Sequence, residues 1–231
     1  MFEISPAEWT AILLSLRVAV IATLVATPFG IALAFLLARR DFWGKSLLDA
    51  LVHLPLVLPP VVTGYLLLLA LGRRGLIGAW LADHLGIVFA FRWTGAALAC
   101  GVMSFPLLVR PIRLSIEAID RKLEQAASTL GAAPWRVFAT VTLPLALPGI
   151  LAGMVLGFAK AIGEFGATIT FVSNIPGETQ TISSAIYSLI QTPDGDAAAM
   201  RLVLISIVIA TAALIASEWF ARRATQRLHG N

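Results

Sequence analysis

The sequence predicts an all-α integral membrane protein with about five transmembrane helices and a pair of short helices on its cytoplasmic side. Three observations carry this. Apolar residues make up 58% of the 231-residue chain and charged residues only 13%, with a mean hydropathy of +0.88, whereas soluble domains are about one quarter charged. Five apolar stretches approach or exceed the ~20 residues that cross a ~30 Å hydrocarbon core. Lysine and arginine gather at the ends of those stretches, a distribution that reads as topology and not as a basic nucleic-acid surface. The single Cys100 and three scattered histidines exclude a disulfide framework and a Cys/His metal cluster.

The first stretch, 11–38, is expected to be a retained span: MFEISPAEW before it carries Glu3 and Glu8 where a cleaved leader would carry a basic region. Arg17 within it is expected to snorkel or to pair. The second, 50–71, contains Pro55, Pro59 and Pro60, which withdraw amide donors and break the helix. Both a hinge or gate element and an ordinary proline-bearing span fit that break. His53 is expected at the interface and not as a ligand. The third stretch is 93–116, the fourth 146–165 and the fifth 201–221. Between the last two, ATITFVSNIPGETQTISSAIYSLIQTPDGDA is too polar to face lipid. It is expected as a loop and a short helix near Thr179 to Gln191, set in the outer mouth, because irregular backbone at membrane depth survives only where buried in protein or lining water.

Five spans put the termini on opposite sides, and the cationic bias chooses the orientation. One side receives Arg39, Arg40, Lys45, Arg110, Arg113, Arg121, Lys122, Arg136, Arg222, Arg223 and Arg227; the other receives only Arg73, Arg74, Arg92 and Arg201. The positive-inside rule places the first set, and the C-terminus, in the cytoplasm.

The loop at about 117–145 therefore faces the cytoplasm. In KLEQAASTLGAAPWRVFATVTLP, Leu123, Ala126, Ala127 and Leu130 recur at helical spacing as one narrow stripe. Asp120 suits the N-cap, Gly131 a left-handed C-cap and Pro134 the first turn of a second short helix, which Pro144 is expected to close. Two alanines in the stripe make a flat surface for close approach by another protein. A helix lying on the inner leaflet would show the same periodicity.

Gln125-Ala126-Ala127, three residues, Gly131, nine residues, Val141, one residue and Leu143-Pro144 resemble the EAA loop, E-A-A-x3-G-x9-I-x-L-P, of binding-protein-dependent ABC importer permeases. Gln125 stands in place of the family's Glu and Val141 in place of its Ile, while Glu124 keeps a carboxylate one residue earlier. The resemblance implies a type I importer permease fold over the whole chain, 1–231, and a helix that seats in a groove of a separate ABC ATPase. It implies two such ATPases on a permease homodimer in the bacterial inner membrane, together with a periplasmic or extracellular binding protein. ATP and Mg would belong to the ATPase. The chain has no G-x-x-x-x-G-K-[ST] loop of its own, and no cofactor, metal or nucleic acid is expected on it.

Within that class the chain resembles molybdate permeases most, through DFWGKSLLDALVHLPLVLPPVVTGYLLL, GRRGLIG, MSFPLLVRPIRL and above all GEFGATITFVSNIPGETQTI. G-E-F-G and N-I-P also occur in related sulfate permeases; G-E-T-Q-T-I favours molybdate, with tungstate and sulfate or thiosulfate as the alternative cargoes. An oxyanion route needs donors that compensate charge without holding the ion. Thr63, Ser104, Thr168, Thr170, Ser173 and Asn174 are available, although intramembrane hydroxyls also bond their own helix. Lys160 and Glu164 stand four apart, as an ion pair that holds the helix or as part of a gate. A secondary transporter or channel remains the rival class, against the lack of an internal repeat.

Overall fold

A computed structural model describes residues 4–229, with side chains from 4 to 216; Glu3 and the side chains of Arg222, Arg223 and Arg227 lie outside the described residues. The described residues form eleven α-helices: α1 (Pro6–Arg39), α2 (Lys45–Val57), α3 (Pro60–Leu71), α4 (Leu76–Leu85), α5 (Trp93–Glu117), α6 (Arg121–Thr129), α7 (Pro134–Val137), α8 (Leu143–Ile162), α9 (Gly166–Val172), α10 (Ile182–Leu189) and α11 (Asp196–His229). Among them α1, α5, the continuous rod Pro134–Ile162 and α11 are each long and apolar enough to span a membrane, and α2 with α3 makes a fifth, bent span.

α1 starts in a reciprocal cap. Ser5 Oγ accepts from the Glu8 amide at 3.2 Å, and the Glu8 carboxylate accepts from the Ser5 amide at 2.6 Å. Glu8 also takes Arg201 at 2.9 Å, which ties the starts of α1 and α11 together. From there α1 runs parallel to α5. The Arg17 guanidinium lies 3.7 Å from the centre of the Trp93 ring, Gly30 faces Leu108, and Arg39 reaches the Ile119 carbonyl at 3.3 Å. Among the described residues Arg17 joins no ion pair, and its exposed guanidinium stacks on an aromatic face.

Small residues make that closeness possible. Ala19, Ala22, Ala26, Gly30, Ala34 and Ala38 form a buried stripe along α1. On α8, Gly149, Gly153, Gly157 and Ala161 recur every four residues, all buried, and meet α5 at Leu108, Pro111, Ile112 and Ser115. Lipid tails are as apolar as leucine, so helices in a bilayer associate by close packing rather than by apolar transfer, and small stripes supply it. One core, around Val18, Met103, Cys100 and Phe171, fills one half of the bundle; a second, around Leu108, Val109, Ile112 and Ile150, fills the other.

Pro59 and Pro60 break the second span as expected, turning α3 by 114° from α2, while Pro55 stays inside α2. Three sequence expectations are corrected, and one helix is added. The stretch 166–172 is helix and not loop, and a helix for which the sequence carried no assignment lies at Leu76–Leu85, between the second and third spans. The helix that carries the fourth span begins far before 146, because Pro134–Ile162 is one rod. Pro144 does not close the second short helix. It sits in the first turn of α8, after a π-helical turn at Phe138–Thr142 in which the Leu143 amide bonds the Phe138 carbonyl. A proline ring clashes with the carbonyl four residues earlier, and the wider π turn lets the chain pass Pro144 without stopping.

Candidate functional site: an uncovered end and a helix break

Two places carry the residues singled out by the sequence. The first is the end of the bundle where α1 finishes. Asp120 caps α6, its carboxylate accepting from the Lys122 amide at 2.9 Å, and Gly131 leaves the helix at φ +84° with open space where a Cβ would stand. A side chain there is opposed by the left-handed backbone alone, which disfavours L-residues. No residue of α6 is buried. Leu123 is 50% and Leu130 89% exposed, and Trp135 on α7 is 67% exposed, so the expected stripe is open at Leu123, Ala126 and Leu130, while Ala127 is half-buried. A cleft of about 860 Å³ runs beside it, lined by Phe35, Arg39, Gln125, Trp135 and Phe138 among others.

The carboxylate next to the EAA position turns inward. Glu124 accepts from Arg39 Nε and Nη2 at 3.2 and 3.1 Å and from Thr142 Oγ1 at 2.7 Å, while Gln125 is exposed. Glu124 therefore does not replace the missing acid on the outer face; it holds α6 to α1 and to the π turn. Phe138 stacks edge-on against Phe35 at 5.0 Å and fixes the same turn to α1. Val141 and Leu143 are half-buried and Pro144 is exposed. Arg39, Thr142 and Phe138 were not singled out by sequence, since only folding brings position 39 to position 124. Nearby, Arg113 joins Asp49 at 2.9 Å and Glu117 at 2.8 Å. Between α1 and α2, Lys45 donates to Asp41 at 2.8 Å and holds that carboxyl below its ordinary range.

The second place is the break between α8 and α9. Glu164 lies just past the end of α8 and not within it, yet the ion pair forms: Lys160 Nζ is 2.6 Å from Glu164, whose side chain is 1% exposed against 29% for Lys160. The other carboxylate oxygen accepts from the Ala167 amide at 3.0 Å, so Glu164 caps the start of α9. Here α3 touches α9 backbone to backbone. A Cβ on Gly64 would stand 2.8 Å from Ala167 Cα, and one on Gly166 would stand 2.7 Å from Pro60 Cβ.

The fold brings Thr63, Glu164 and Thr168 to this junction and leaves Ser104 apart on α5. Three of the six expected donors face their own helix: Ser104 bonds the Gly101 carbonyl, Thr168 that of Phe165 and Thr170 that of Gly166. Thr63 differs, being buried with a hydroxyl that has no hydrogen-bond partner among the described residues. Beyond α9, Ser173 is exposed at φ +66°, and Asn174 donates to Ser188 at 2.6 Å with its amide oxygen unpartnered. Thr179 folds the turn back by accepting from the Ile175 amide at 2.9 Å. His53 is half-buried and bonds the Asp49 carbonyl at 2.8 Å.

Comparison with known proteins matches this architecture. The chain is 64% identical over 220 residues to the molybdenum transport system permease protein ModB of Escherichia coli (strain K12), covering 95% of this chain and 96% of that one. It is 42% identical over 201 residues to the sulfate transport system permease protein CysW of Synechococcus elongatus, covering 86% and 70%. Among solved structures, a bacterial ABC transporter involved in the import of the acidic polysaccharide alginate superposes with a TM-score of 0.75 at 21% identity, over 96% of this chain and 81% of that one. The model for the binding-protein-dependent transport system inner membrane component matches residues 26–226. With a bundle of spans, an uncovered helix at one end and a broken helix within, the chain belongs to that family.

Proposed function

We propose that this chain is the membrane permease of an ATP-driven importer for molybdate, with ATP and Mg bound by a separate ATPase and not by this chain. The single observation that carries the reading is α6. It is capped at both ends, bears Leu123, Ala126 and Leu130 exposed with Ala127 half-buried beside them, and is anchored from behind by Glu124. Such a face suits a groove on another protein. Identity of 64% to a molybdenum permease against 42% to a sulfate permease favours molybdate as cargo.

In this reading the α6 end is cytoplasmic, and the Glu8–Arg201 end faces the side from which a loaded binding protein delivers the ion. Two copies of the chain build one pathway, each seating one ATPase, because a single set of five spans offers half of a twofold assembly. The whole chain is one permease domain without catalytic residues. Closure of the ATPases moves α6, and the bundle opens at one end at a time. The junction of α3 and α9, with Thr63 unpartnered, and the turn at Ser173 and Asn174 are the stretch of route this chain supplies to an oxyanion.

Competition among oxyanions tests the cargo. Uptake of labelled molybdate by membranes containing the assembled importer is expected to fall when unlabelled molybdate or tungstate is added, and to persist under the same excess of sulfate. Equal inhibition by sulfate would assign the chain to sulfate transport instead.

A further inference from the structure

We infer that Glu124 is a positioning residue for coupling: it passes motion of the docking helix to α1 and, through Thr142, to the base of α8. This rests on the reading that α6 seats on an ATPase. Among the described residues, no other side chain of α6 bonds to another helix, and none is buried. Motion imposed on α6 therefore leaves it by three routes, the backbone at Asp120 toward α5, the backbone turn at Gly131 and this carboxylate, and of its side chains only the carboxylate bonds to α1 and to the π turn. The turn is a poor transmitter, since Gly131 packs against nothing and glycine rotates freely.

The carboxylate is well made for the task. Arg39 binds it with two nitrogens at 3.1 and 3.2 Å, with a third contact from Arg39 to the Ile119 carbonyl, and the Arg39 side chain is only 9% exposed. Charge-assisted bonds of this kind are short and directional. From the other side Thr142 donates at 2.7 Å. Thr142 is the last residue of the π turn, the least regular point of the Pro134–Ile162 rod, and π turns are frequent where a helix has work to do. One acidic side chain thus makes the outer helix, the end of the first span and the yielding point of the fourth span move together.

Thr142→Val separates this role from simple support. Valine keeps the shape at a buried position and leaves Arg39 on Glu124, so neither a cavity nor an unpaired charge results. Permease and partner ATPase are reconstituted in proteoliposomes with molybdate-loaded binding protein, and three quantities are read: ATPase retained on the permease, ATP hydrolysed, and labelled molybdate moved per ATP. Thr142→Val is expected to retain the ATPase at wild-type stoichiometry while molybdate moved per ATP falls about tenfold, the scale of an ordinary coupling free energy. Thr142→Ser, which restores the hydroxyl, is expected to recover most of the loss. A wild-type ratio in Thr142→Val would overturn the inference, as would loss of transport in proportion to loss of bound ATPase, which would make the bond mere support for the docking face. A wild-type permease that retains no ATPase would instead refute docking by α6 itself, and the inference with it.

Discussion

Replacing Lys160 by methionine is expected to leave little folded permease in membranes, while the double change Lys160→Met with Glu164→Gln is expected to recover it. The single variant removes the only cation, among the described residues, within reach of a carboxylate whose side chain is 1% exposed. Stranding one partner of a buried pair costs roughly 3–5 kcal/mol, here toward the lower end because Lys160 is partly open to its surroundings. The Ala167 amide remains as a donor but does not neutralise the charge. In the double variant glutamine still accepts from that amide and no charge is stranded. Yield of monodisperse protein on size exclusion, with the melting temperature, reads the difference. A single variant as stable as wild type would mean that Glu164 does not depend on Lys160 as a counter-charge.

Gly153→Leu is expected to separate α8 from α5 and to abolish assembly of the bundle, whereas Gly157→Ala, one turn on, is expected to be tolerated. A Cβ at Gly153 would stand 2.5 Å from the Leu108 carbonyl oxygen and 3.3 Å from Ile112, and backbone cannot move aside as a side chain can. Overpacking costs about 1–3 kcal/mol even in forgiving cores, and here it falls on the pair of helices that joins both halves of the interior. At Gly157 the nearest atoms lie 3.6 Å away, an ordinary contact. Thermal unfolding in detergent distinguishes the two; similar melting temperatures would mean that the glycine stripe is not the close-packed seam.

Much of this architecture was legible in the sequence because a bilayer imposes length and polarity on anything that crosses it. The spans near α1, α5 and α11, the break at Pro59 and Pro60, the cap at Asp120 and the left-handed turn at Gly131 all follow from residues read locally. The apolar stripe of α6 was legible for the same reason, since helical period shows in neighbouring residues. What escaped was non-local or geometrically unusual. Nothing near Arg39 announces a partner 85 positions away, and Pro144 looked like a stop because a π turn has no periodic signature. The polar stretch after α8 hid α9, whose threonines satisfy themselves on their own helix. The seam Gly149, Gly153, Gly157 and Ala161 was visible as a four-residue repeat of small residues, but reading the span for hydropathy alone passes over it.

The central claim is that this chain moves an oxyanion only when a separate ATPase drives it. Reconstitution with components withheld one at a time tests that most directly. Permease, ATPase, loaded binding protein and ATP together are expected to accumulate molybdate against its gradient, and omission of the ATPase, of ATP or of the binding protein is expected to stop uptake. Molybdate flux through vesicles containing the permease alone, running down its gradient without ATP, would contradict the claim and make the chain a passive channel.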